Sequence, residues 1–366
     1  MKILYITNIP APYRVDYFNI LAKHCDLTVL YEKRVSDERD KKWVSEIELN
    51  YNTIFLGGIS TDKDKALSFQ VIKYIKKEKY DYIVICGISS PTEILAIQWC
   101  QLRNIPYCIE GDGAFTDYST SFKNAFKRHL IKKGRLFFST CKEHDKYYIE
   151  YGADPDRIIR YRFSSLKEKE ILDNIIDNEK KRELRAELGM PYNKVVLSVG
   201  QFIYRKGFDV LLKAATRCDS DIGFYIVGGC PTQEYLNYAK INKLTNVHFI
   251  EFKAKEELKK YFLAADVFVL PTREDIWGLV VNEAMGYGIP VITTTRCNAG
   301  TELIENAENG FLIPVDDDNE LIKSIEFTLA NSNKMGINAL KTISSYTIEN
   351  MVKDHILAFG GEYNDE

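Results

Sequence analysis

Short, almost unbroken apolar runs alternate with amphipathic stretches twice along the 366-residue chain, and this alternation constrains the fold more than any other feature. KILYIT (2–7), DLTVLY (26–31), DYIVICG, IPYCIEGDG and RLFFST read as strands buried on both faces. Between them VDYFNILAKH, VIKYIKKEK and TEILAIQWCQLRN carry apolar residues at helical spacing. The alternation stops between Leu166 and Met190. There KEKEILDNIIDNEKKRELRAELGM is highly charged and predicted helical as far as Gly189, with Pro191 just beyond. It restarts with KVVLSVG, FDVLLKAATR, IGFYIVGG, VHFIEF, ADVFVLPT and IPVITT. The length suits two domains of roughly 150–180 residues better than one core. The expectation is an α/β fold of two doubly wound domains in tandem, joined near residue 165, with helices on both sides of each parallel sheet. Ligands in such sheets bind outside the carboxyl ends of the strands, so the central cleft that two domains would face is the default site.

Composition excludes several classes. No run of about 18 apolar residues is present, which argues against a membrane-spanning helix. The opening MKILYITNIP turns polar too soon for a signal peptide. Eight cysteines lie scattered without ligand-like spacing, several in apolar surroundings such as Cys86 in YIVICG, and read as reduced core thiols of a cytoplasmic protein. Structural zinc is not expected. The net charge of −3 is uneven: residues 1–165 hold 26 Lys/Arg against 21 Asp/Glu, or +5, which leaves 23 against 31, or −8, for the remainder. The two halves are therefore expected to face different partners.

The stretch REDIWGLVVNEAMGYGIPVI (273–292) places Asp275 in a loop after the strand ADVFVLPT, and Glu283 on the side of a helix that begins near Gly278 and stops at Gly288 and Pro290. A helix start carries unpaired N–H groups and positive partial charge suited to phosphate. Glu283 falls about 7–8 Å further along the axis at 1.5 Å per residue. Carboxylates accept hydrogen bonds from hydroxyls, so a ligand with hydroxyls on both sides of a diphosphate fits, namely a nucleotide sugar. A helix cap at Asp275 and a solvated Glu283 explain the spacing equally well. Upstream, VLSVGQFIYRKGFDVLLKA sets Arg205 and Lys206 at a strand's carboxyl end, where they either neutralise phosphates or form a plain surface pair.

Taken together, GQFIYRKGFDVLLKA and EDIWGLVVNEAMGYGIPVI resemble the two signatures of retaining GT-B glycosyltransferases, specifically glycosyltransferase family 4 (glycosyl transferases group 1). The PAPYR loop, YGADPDRI, IVGG, ADVFVLPT and NGFLIPVDD follow in the family's order, and YTIENMVKDHILAF is similar to the family's terminal helix. The resemblance implies a GT-B fold with two Rossmann-like domains: 1–164 binding acceptor, 165–345 binding nucleotide sugar, and a helix over 346–366 crossing back to the first domain. It also implies a catalytic group of Lys206, Arg205, Asp275 and Asp112, with Lys206 on the donor diphosphate and Asp275 on sugar hydroxyls. Gln201, Glu274, Trp277, Gly278, Leu279 and Glu283 would bind donor, Glu283 at the ribose. Pro12 and Arg14 belong to the acceptor-side loop. The family uses neither metal nor other cofactor.

Three positions depart from the pattern. Asp stands at 275 where Glu is usual, with Glu274 beside it as an alternative. Gln201 replaces a common arginine, a charge that Arg205 would supply. No histidine follows the strand in IEGDGAF, where Asp112 either takes that role or is a turn residue between two glycines. The five histidines all read as surface or core residues.

The family resemblance implies sugar transfer with retention, from a nucleoside-diphosphate sugar (UDP ahead of GDP) to a carbohydrate or lipid-linked acceptor. Residues 121–138 are basic, with Phe122, Phe126 and Leu130 at helical spacing. They suit an anionic membrane surface at the inner face of the plasma membrane, or else a packing stripe with a solvated basic face. No element for reading nucleic acid is present. The competing readings are an inactive GT-B subunit that binds a partner enzyme, and a phosphorylase or epimerase of the same fold.

Overall fold

The computed structural model describes residues 1–34, 48–119 and 121–363, and the chain divides into two units, 1–164 with 347–366 and 165–346. The first unit holds strands β1 (Lys2–Thr7), β2 (Asp26–Tyr31), β3 (Asn52–Phe55), β4 (Ile59–Asp62), β5 (Lys65–Leu67), β6 (Tyr82–Ile85), β7 (Cys108–Glu110), β8 (Leu136–Ser139) and β9 (Ile158–Arg160). Its helices are α1 (Pro12–Leu21), α2 (Val71–Tyr74), α3 (Pro91–Leu102), α4 (Phe122–Ile131) and α5 (Lys142–Glu150). Seven strands form one parallel sheet in the order β3-β2-β1-β6-β7-β8-β9, and β4 and β5 pair apart as an antiparallel hairpin.

The second unit has α6 (Asn178–Glu187), β10 (Lys194–Val199), α7 (Phe208–Ala215), β11 (Ile222–Val227), α8 (Gln233–Ile241), β12 (Val247–Ile250), α9 (Lys255–Ala264) and β13 (Val267–Leu270). It continues with α10 (Leu279–Gly286), β14 (Val291–Thr294), α11 (Asn298–Leu303), β15 (Gly310–Ile313) and α12 (Asp318–Ile343). Its parallel sheet runs β12-β11-β10-β13-β14-β15. The sequence order of strands reverses in each sheet, at β1–β6 and at β10–β13, and doubly wound sheets bind ligands beyond the carboxyl ends at such a reversal. The last helix, α13 (Ile348–Ala358), belongs to the first unit: the Arg162 guanidinium grips the Asp354 carboxylate at 2.5 and 2.9 Å.

The strands form where apolar side chains pack on both faces: all of β11 and β13 is buried, and five of six residues in β1. Two helix expectations need correcting. VIKYIKKEK is helical only over Val71–Tyr74, because Ile75 leaves the helix in an extended conformation and joins Val71 in the core. The charged segment from Lys167 is not one helix: a single 3-10 turn (Glu168–Glu170) leads into an irregular strap, and α6 starts only after Asp177 caps it. The strap is held by tertiary contacts. The Leu172 N–H donates to the Gly286 carbonyl at 3.0 Å, and Leu166 and Ile175 fill the space beside Gly286 and Gly288. None of the eight cysteines is in a disulfide, and Cys100, Cys108, Cys141 and Cys297 are buried. Among the described residues no helix is long and apolar enough to cross a membrane, and no His/Cys/Asp/Glu cluster suits a metal.

Candidate functional site

In the second unit, two loops meet at the reversal between β10 and β13. After β10 the chain makes a 3-10 turn, Tyr204–Lys206, that ends at Gly207 in the left-handed region (φ 69°). A Cβ at Gly207 would stand 2.0 Å from the Pro271 carbonyl oxygen, so only glycine lets this turn lie against the end of β13. The Lys206 ammonium donates to the Asp275 carboxylate at 2.6 Å, and Arg205 lies 3.7 Å from the same oxygen while donating to the Glu274 carbonyl at 2.6 Å. Asp275 is 8% exposed. Its main chain is fixed on both sides, the N–H on the Arg296 carbonyl and the C=O on the Asn298 N–H. Glu274 is half-exposed and forms its ion pair with Arg296. The two neighbouring acids are thus separated in role: Asp275 faces the cationic turn and Glu274 does not.

Gly278 (φ 101°) caps the start of α10, and a Cβ there would meet the Cys297 sulfur at 2.9 Å. Leu279 is the first residue of that helix. Trp277, expected among the donor-binding residues, turns its side chain inward. It is 2% exposed, its indole N–H donates to Asn282 at 2.8 Å, and only its neighbourhood belongs to the site. Gln201 is exposed at the entrance to the turn. Glu283 accepts from the Ser165 hydroxyl at 3.3 Å. Burial pushes its carboxyl up to about 7, against the pull of Lys255 and Ser165, and Glu170 adds to the rise. Glu283 is therefore a carboxyl poised to gain or lose a proton near neutrality.

In the first unit, Arg14 is not a surface residue waiting for a ligand. Pro12 opens α1, where its missing N–H costs nothing, and two residues on the Arg14 guanidinium is buried between Glu110 and Asp112, 2.5 Å from the latter. Asp112 also accepts from the Tyr13 hydroxyl at 2.5 Å and stays partly exposed. Burial would raise the Glu110 carboxyl, but Arg14 and His355 outweigh it and hold it down at about 2. His355 of α13 stacks on Phe138 with centroids 4.4 Å apart, and its Nε2 lies 3.3 Å from Glu110. His144 is buried as well, and burial lowers it to about 3. α4 turns Leu130 and Ile131 into the core, so its exposed apolar side is confined to Phe122 (98% exposed) and Phe126, not the longer stripe expected from spacing.

Asp209, Arg273, Arg296, Ser165, Tyr13 and Glu110 were not singled out by sequence reasoning. Only Glu110 carried a signal: an acid ending an apolar strand needs a cation when buried.

Residues 180–342 match the family described as Glycosyl transferases group 1. An uncharacterized glycosyltransferase of Haemophilus influenzae is 30% identical over 171 residues, 44% of this chain and 48% of the relative, so the chain spans about half that relative's length. The UDP-Gal:alpha-D-GlcNAc-diphosphoundecaprenol alpha-1,3-galactosyltransferase of Escherichia coli is 26% identical over 73% of this chain and 71% of its own. The solved structure of Anabaena HepE in complex with UDP superposes with a TM-score of 0.79 at 15% identity, covering 98% of this chain and 100% of that one. The chain thus has a two-domain, Rossmann-like GT-B fold and matches, over residues 180–342, the family described as Glycosyl transferases group 1.

Proposed function

We propose that the protein is a retaining hexosyltransferase that moves a sugar from a nucleoside-diphosphate donor, UDP ahead of GDP, to a hydroxyl of a lipid-linked glycan in cell-surface polysaccharide synthesis. The observation that carries this reading is the meeting of Arg205 and Lys206 with Asp275 at the strand reversal, beside the start of α10. Two cations and a helix start suit a diphosphate, and Asp275 and Glu283 suit hydroxyls of the sugar and ribose. The E. coli relative, whose name gives a UDP-galactose donor and a diphosphoundecaprenol acceptor, supports both halves of the proposal.

In this reaction the bond between the anomeric carbon and the diphosphate oxygen breaks, and the oxygen leaves with the electron pair. Lys206, Arg205 and the start of α10 stabilise the charge that grows there. The acceptor oxygen attacks from the same face and its proton passes to the departing phosphate. No protein nucleophile, metal or other cofactor takes part. Asp112, held by Arg14 and Tyr13, is the carboxylate offered to the acceptor. Phe122 and Phe126, with Lys123, Arg128, Lys132 and Lys133 exposed around them, suit an anionic bilayer and support the reading of a cytoplasmic, peripheral enzyme.

The test is product analysis. Purified protein is incubated with UDP- and GDP-sugars and a diphospholipid-linked monosaccharide, and the new linkage is read by proton NMR. Retention of the donor's anomeric configuration supports the proposal. An inverted product refutes retention, and donor turnover without acceptor favours an epimerase. Donor binding without any turnover favours the partner-binding subunit.

A further inference from the structure

We propose that Arg273 is a positioning residue for the cationic turn, an inference that rests on the donor-binding reading above. Arg273 lies between Thr272 and Glu274 at the end of β13, and its guanidinium reaches back across the chain to the turn after β10. One terminal nitrogen donates to the Tyr204 carbonyl at 2.7 Å and to Asp209 at 2.9 Å. The other donates to the second Asp209 oxygen at 2.7 Å and lies 2.8 Å from Asp316. The guanidinium carbon also sits 3.9 Å from the centroid of the Tyr204 ring. The Arg273 main-chain N–H donates to the Arg205 carbonyl at 2.8 Å, and so does the Thr272 hydroxyl.

Residues 204 and 205 of the turn are therefore held by one arginine and its neighbour, and Asp209 ties the same guanidinium to the first turn of α7. What remains free to project is the side chain of Lys206, which the turn aims at Asp275. The planar fork is what makes this work: it engages both oxygens of Asp209, the Tyr204 carbonyl and the Tyr204 ring together, which a lysine ammonium does not do. Arg273 acts on the diphosphate site only through the turn that carries Arg205 and Lys206. Its loss should appear as weaker donor binding without the loss of any donor contact of its own.

The test is calorimetric titration with UDP, or with GDP where GDP binds tighter, on wild type, Arg273→Lys and a control, Arg185→Lys. Arg185 is a buried arginine in the same unit, paired with Asp266 and bonded to the Ala264 and Asn193 carbonyls near the amino end of β10. The expected result is nucleotide binding about tenfold weaker in Arg273→Lys. Arg185→Lys should lose a comparable amount of thermal stability and bind as wild type. If Arg273→Lys does not fold, Asp209→Asn carries the same test at about threefold, since the guanidinium then keeps Tyr204 and Asp316. Wild-type affinity in the turn variant, or equal loss in both arginine variants, overturns the inference. A wild-type protein that binds no nucleoside diphosphate overturns the donor reading itself, and this inference with it.

Discussion

The Lys206 ammonium rests 2.6 Å from the Asp275 carboxylate, joining two loops that are 69 residues apart in sequence. In the proposed reaction this cation is the one that meets the charge building on the departing phosphate. Lys206→Ala is expected to lower kcat by about 10²–10³. Its melting temperature should fall as well, because Asp275, only 8% exposed, is left with Arg205 alone at 3.7 Å. Steady-state kinetics beside differential scanning calorimetry check both halves, and a kcat within threefold of wild type contradicts the role.

Glu283 gives a pH signature. Its carboxyl is raised by burial to about 7, above its ordinary range, so the native state favours the protonated form. The stability it contributes is fully present below about pH 4.5 and is lost as pH rises through 7. Glu283→Gln should remove that part of the decline, seen as a flatter urea midpoint between pH 5 and 8. Donor affinity should run the other way in wild type and strengthen from pH 6 to 8, since the ionised carboxylate is the better acceptor for ribose hydroxyls.

Arg14 is predicted to be a stability residue first. Arg14→Met leaves Glu110 buried without its main partner, at a cost of about 3–5 kcal/mol. The double variant Arg14→Met, Glu110→Gln should recover part of the loss. Chemical denaturation of the three proteins measures it, and a single variant as stable as wild type rules out the buried network.

The Gly207→Ala prediction follows from geometry alone. The φ of 69° costs a residue with a Cβ about 1–2 kcal/mol, and the Pro271 carbonyl 2.0 Å away adds to it. The variant should melt lower than wild type and lose nucleotide affinity as the turn moves. Unchanged binding would show that the turn's path does not matter.

The parallel sheets were legible because β11 and β13 are buried on both faces and so leave uninterrupted apolar runs. The places of Lys206 and Asp275 in loops after strands, and of Glu283 inside a helix, were legible for a related reason, since the same runs locate strand ends and helix starts. The strap from Ile171 to Asp177 was not. Its charge and spacing suit a helix, but Leu172 and Ile175 follow a tertiary contact with Gly286 and Gly288 that local sequence does not announce. Arg273 was overlooked for the same kind of reason: its partners Tyr204, Asp209 and Asp316 are 69, 64 and 43 positions away. Trp277 is the converse case, a residue inside a recognisable motif whose ring packs in the core.

The most direct measurement is a thermal-shift panel of UDP, GDP and their common sugar conjugates on wild type and Glu283→Ala. A ligand at 100 times its dissociation constant adds about 2.7 kcal/mol of stability. A clear rise is expected with one base, UDP ahead of GDP, and it should shrink or disappear in the variant. Well-folded wild-type protein that shifts with no nucleotide would contradict a donor site at Lys206, Asp275 and Glu283.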